Sequence, residues 1–118
     1  MVHERKIHYK ELGFYRDKSS GIIFQAYYLM EYGRVKGKNK LRRGLKNQYP
    51  NACMFKIEAA IKSAFRLEIA VYSCCGELNA DYPKNRDKIH PCIQEKAPCL
   101  TEDAYEYASF RAGYILVK

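Results

Sequence analysis

The chain has no tryptophan, no apolar run near the length of about 18 residues that crosses a bilayer, and no acidic residue between positions 33 and 47. Its longest apolar stretch, residues 21–30, is broken by Gln25, which excludes a membrane-spanning helix. The start, Met1-Val2-His3-Glu4-Arg5-Lys6, is charged where a secretory leader needs an apolar segment. Val2 forbids myristoylation, and the closing Ile115-Leu116-Val117-Lys118 holds no cysteine for prenylation. A cytoplasmic location is the expectation. Internal repeats, a phosphate-binding glycine loop, a Ser-His-Asp grouping and a recognisable carboxylate pair are also missing. A catalytic role is therefore not indicated, and no cofactor is expected.

What is present fits one globular domain over residues 1–118: 47% of residues are hydrophobic and 29% charged. The 21 Lys and Arg outnumber the 13 Asp and Glu, for a net charge of +8. An excess of that size draws polyanions or acidic protein surfaces.

Residues 6–15 alternate loosely, with β-prone Ile7, Tyr9, Phe14 and Tyr15, and the turn formers of residues 16–21 follow. A hairpin is predicted, its second arm being residues 22–32 with Ile22, Phe24, Ala26, Tyr28 and Met30 on the core face. After Tyr49-Pro50, Asn51 is a good cap for a helix whose apolar stripe is Met54, Ile57, Ile61, Ala64 and Phe65, running to about Leu67. Residues 69–75 turn β-rich and are predicted as a buried strand ended by Gly76, with Ile69 and Val71 in the core. A long loop with Pro83, Pro91 and Pro98 follows. Thr101 opens a second helix, with Glu102 and Asp103 at its positive end and Gly113 closing it, before a last strand over residues 114–117. The order β, β, α, β, α, β predicts an α+β fold, a mixed or antiparallel sheet of about four strands with two helices on one face.

The strongest functional signal is the basic segment 34–46, an exposed loop or short helix holding Arg34, Lys36, Lys38, Lys40, Arg42, Arg43 and Lys46, with glycines at 33, 37 and 44. Cations spaced in this way can follow a phosphate backbone and gain affinity through counterion release. Eleven tyrosines are present, and Tyr28 and Tyr49 lie beside this segment, where an aromatic face would stack on single-stranded bases.

Cys74, Cys75, His90, Cys92 and Cys99 would suffice for tetrahedral zinc, yet the paired two-residue spacing of zinc fingers is missing. We expect no metal: Cys74 and Cys75 end a strand as small apolar residues, and all five cysteines, an odd number counting Cys53, remain free thiols. A nucleophilic cysteine paired with His90 has no activating environment legible here. His3 and His8 are expected to face solvent.

The succession Gly21-Ile22-Ile23, Tyr32-Gly33, Arg42 or Arg43, and a helical Glu58 resembles the order of parts in GIY-YIG nucleases. That resemblance would imply a tyrosine, an arginine and a metal-binding glutamate at an active site. The motif tyrosine is replaced by Ile23, however, the isoleucine between Tyr32 and Gly33 is absent, and the spacing is short. Glu58 is read instead as the helical partner of Lys62, one turn on. Two functions are thus expected from the sequence. The first is binding of DNA or RNA through segment 34–46 with Tyr28 and Tyr49; the alternative is a protein-binding regulator or inhibitor docking a basic, tyrosine-rich face on an acidic partner.

Overall fold

A computed structural model describes residues 21–78 and 86–116, and among these all regular structure is helical. Five α-helices follow one another: α1 (Ile22–Glu31), α2 (Lys38–Gln48), α3 (Met54–Leu78), α4 (Ile89–Lys96) and α5 (Glu102–Leu116), with a 3₁₀ turn, Arg86–Lys88, leading into α4. Among the described residues no helix is long and apolar enough to cross a membrane.

The α+β expectation is overturned, since no strand occurs among the described residues. Residues 22–31, predicted as a strand, form α1, in which Phe24, Gln25, Ala26, Tyr27, Tyr28 and Leu29 are all buried. A helix enclosed on every side is apolar on every side, so its sequence shows no 3.6-residue rhythm and reads equally well as β. Residues 69–75 do not switch to a strand but continue α3, which runs on past Gly76 to Leu78. Residues 114–116 likewise belong to α5, which Gly113 does not end. The first hairpin arm, His3, His8 and Val117 lie outside the described residues.

α3 is the central element, packing on all four other helices. Its 25 residues make a rod of about 37 Å at 1.5 Å per residue. Ile57, Ala60, Ile61, Ala64, Leu67, Ala70, Val71, Cys74 and Cys75 form its buried stripe, at spacings of three and four. The alanines let neighbouring helices approach closely. The helix opens two residues later than Asn51 suggested: the Cys53 carbonyl accepts the first bonds, from the Lys56 and Ile57 amides. Thr101 does stand where α5 begins, its carbonyl accepting the Tyr105 amide.

The core between α1 and α5 is aromatic. Tyr107 meets Phe24 and Tyr27 edge-to-face, at centroid distances of 5.5 and 5.6 Å, a geometry that matches ring edges to ring faces. The start of α1 is held from α5, because the Gly21 amide donates to Asp103 Oδ2 at 2.8 Å. Asp103 thus satisfies an orphan helix amide while placing its charge at a positive helix end.

A disulfide joins Cys74 on α3 to Cys92 on α4, with Cα atoms 6.0 Å apart. This corrects the expectation of free thiols throughout. An odd cysteine count requires one thiol left over, but does not forbid a pair. Cys53, Cys75 and Cys99 are the free ones.

Candidate nucleic-acid interface

Four residues set the position of α2. Gly37, immediately before it, has φ +92°, a backbone angle that a side chain would oppose. Leu41 and Leu45, one turn apart, are fully buried beneath the helix. Gly44 completes the seating, since a Cβ there would stand 3.3 Å from Leu29 Cδ1 of α1. The remaining positions face outward, and with no acid among them α2 is a cationic ridge.

The predicted cations occupy different situations on this ridge. Lys36, Lys40 and Arg43 are exposed and form no hydrogen bond or ion pair among the described residues. Arg34 is exposed at the turn after α1, with φ +56°. Lys38 lies over the Phe65 ring at 5.8 Å, and Lys46 Nζ donates to the Ala52 carbonyl at 2.9 Å. Arg42 is committed within the protein: its guanidinium grips the Glu58 carboxylate with two nitrogens and donates to Asn39 Oδ1 at 2.6 Å. The contact raises the Arg42 pKa and lowers that of Glu58, each mainly through their mutual hydrogen bond. Lys62 is therefore not the ion partner of Glu58.

Asn39, Arg42, Arg43, Lys46, Asn47 and Met54 line an open depression of about 370 Å³ on this face. Its amides and cations offer several hydrogen-bond donors to one anion.

The tyrosines separate. Tyr28 is 2% exposed and packs among Phe24, Tyr32 and Tyr107, so it offers no ring face to a nucleic-acid base. Tyr49, at the end of α2, is half-buried against the core.

The cysteine and histidine cluster does not converge as a ligand set. Cys74 and Cys92 are bonded to each other, and Cys75 Sγ donates to the Ala112 carbonyl at 3.6 Å. His90 lies 3.5 Å from Glu102, and Cys99 is exposed. Among the described residues no three His, Cys, Asp or Glu side chains are grouped as metal ligands. The parts of the nuclease resemblance do not assemble as that family's site would require: Ile22 and Ile23 lie in a helix, and Arg42 and Glu58 are paired with each other.

Sequence reasoning missed a polar knot where α1, α3 and α5 meet. Arg111 of α5 pairs with Glu31 of α1, lies 3.7 Å from Glu68 of α3, and donates to the Tyr72 hydroxyl at 3.1 Å. Tyr27 donates to Glu68 at 2.8 Å. Burial, a hydrogen bond with Glu68 and the Glu68 charge push the Glu31 pKa up to about 8, against the pull of Arg111 and Arg34. Tyr27 is raised too, first by burial and then by the two carboxylates. Burial opposes the Arg111 charge, yet Glu31, Tyr27, Glu68 and Tyr72 outweigh it and raise its pKa. The two glutamates, 37 residues apart in sequence, left no local spacing from which the pair could be read.

Compared with protein-family models, curated proteins and solved structures, the chain matches none.

Proposed function

We propose that the protein binds nucleic acid, seating phosphates on the outer face of α2. The observation that carries this reading is the set of exposed cations Lys36, Lys40 and Arg43, unengaged among the described residues, beside a depression that adds Asn39, Lys46 and Asn47. Local helix stability does not account for them. Lys38 and Lys40 sit in the first turn of α2, where the peptide dipoles already place positive charge and cations are unfavourable. A phosphate diester set against that end relieves the conflict and displaces counterions. Tyr49, partly open at the far end of the helix, is the one aromatic of the original pair placed to touch a base.

A cytoplasmic location goes with this role, whereas the Cys74–Cys92 bond weighs toward an oxidising compartment. The alternative partner, an acidic protein, is favoured by a different face of the molecule, on α3.

The test is fluorescence anisotropy with labelled duplex and single strands across a salt series. With Z phosphates neutralised, log K falls against log salt with a slope near −0.9Z on duplex and about −0.7Z on single strands. Changing Lys40 and Arg43 together to Ala should make the duplex slope shallower by up to about two units. A parent that binds no nucleic acid at low salt, or a double variant with the parental slope, overturns the reading.

A further inference from the structure

The outer side of α3 carries a groove of about 680 Å³ that the basic-ridge reading does not use. Its floor is apolar, with Phe55, Phe65 and Ile69, and its edges carry Lys38, Lys62 and Arg66. Phe55 is 84% exposed and Ile69 is 70% exposed. They stand fourteen positions apart on one helix, close to four turns or about 21 Å, with Ala59 and Lys62 between them on the same side. Tyr72, half-exposed, prolongs the stripe by most of another turn.

From this geometry we infer that the groove docks an amphipathic helix of another protein, of about four turns, presenting aliphatic anchors toward Phe55 and Ile69 and acidic residues toward Lys38, Lys62 and Arg66. The length of the stripe sets the length of the guest, since anchors at spacings of three and four keep to one helical face. Charge selects which helix. The single acid in the groove, Glu58, is already matched by Arg42, so the rim is left cationic. Residues 1–20 of the chain itself carry five cations against three acids, and a second copy would bring its own excess of +8. Both meet the rim with like charge, which disfavours them as occupants.

The inference does not rest on nucleic-acid binding: the groove floor shares no side chain with the Lys36, Lys40 and Arg43 ridge, and Lys38, in the first turn of α2, is the one cation that borders both. The test uses the full chain and a labelled 16-residue helical peptide with Leu at spacings of three and four and Glu elsewhere, beside the same peptide with Lys replacing Glu. We expect the acidic peptide alone to bind, and the Phe55→Ser, Ile69→Ser double variant to weaken it at least about tenfold, as loss of interface anchors does. The Lys62→Glu, Arg66→Glu variant should weaken the acidic peptide by a similar factor. The serine variant should keep the parental melting temperature and the parental salt slope on duplex DNA. The proposal fails if both peptides bind alike or if the variants bind as the parent does. It fails equally if a photocrosslinker at Phe55 captures residues 1–20 of its own chain, or if sedimentation shows a parent dimer that the serine variant dissolves.

Discussion

Arg42 and Glu58, 16 residues apart, meet in a two-pronged ion pair that fastens α2 to α3, while the neighbouring Arg43 points into solvent. Adjacent arginines in one basic run therefore have separable roles. Arg42→Ala should lower the melting temperature, and Glu58→Gln should do the same. Arg43→Ala should leave stability within about 0.5 kcal/mol, as surface changes usually do, while taking up to about one unit from the duplex salt slope. Thermal melts beside salt titrations of the single variants would decide it. Equal stability for Arg42→Ala and the parent would show that the remaining contacts of α2, Leu41 and Leu45 first, hold it without the ion pair.

Ile61 and Ile69 lie two turns apart on one helix in contrasting surroundings: Ile61 is 2% exposed, and Ile69 is open to solvent. Ile61→Ala should cost about 2 to 5 kcal/mol, because it removes buried methyl groups and leaves a cavity. Ile69→Ala should cost no more than about 0.5 kcal/mol. Urea titration of the two variants checks this. A large loss at Ile69 would show that its side chain is covered in the folded protein.

The knot around Arg111 makes stability depend on pH in a stated direction. Glu31 holds its proton in the folded protein to about pH 8, against an ordinary value of 4.5, and it is faced by Glu68, Arg111, Tyr27 and Arg34. A raised carboxyl pKa means that the folded state binds the extra proton. Its contribution is complete below about pH 4.5 and is lost as pH climbs to about 8, with a slope of at most about 1.4 kcal/mol per unit. Chemical denaturation at intervals from pH 5 to 8 should show this decline in the parent and a flatter profile in Glu31→Gln. The same slope in both would assign the proton elsewhere.

The Cys74–Cys92 bond closes a loop of 18 residues between the end of α3 and α4. By the chain-entropy argument a loop of that size is worth about 3 kcal/mol. Reductant, or Cys92→Ala, should lower the denaturation midpoint accordingly, and reductant should then have no further effect on the Cys92→Ala protein. A midpoint indifferent to reductant in the parent would mean that the bond constrains nothing the unfolded chain explores.

Amphipathic segments were the legible ones. Ile57, Ile61 and Ala64 announced α3 through their spacing, although Met54 of the same expected stripe is exposed, and Thr101 with Glu102 and Asp103 announced the start of α5. Segments buried on all sides were not, because Phe24 through Leu29 lack a polar face to set a rhythm, and their aromatic and β-branched neighbours then favour a strand. The Gly76 and Gly113 breaks failed for a related reason: glycine weakens an isolated helix by about 1 kcal/mol, which packing in a long helix overrides. The exposed basic run was visible from composition, but its partition was not. That Arg42 turns inward and Tyr28 vanishes into the core depends on which helices cross, as does the meeting of Glu31 with Glu68.

The α2 helix is held to the body by two leucines, the seating of Gly44 on Leu29, the Lys38 contact with Phe65 and one ion pair, and cations in its first turn strain against its own dipoles. It is thus the element placed to open first, at a free energy well below that of global unfolding. Its amides should exchange with deuterated solvent ahead of those of α3, and an anion resting on its outer face should slow that exchange. Occupancy and order would then be a single equilibrium, with the ridge firm when loaded and loose when bare.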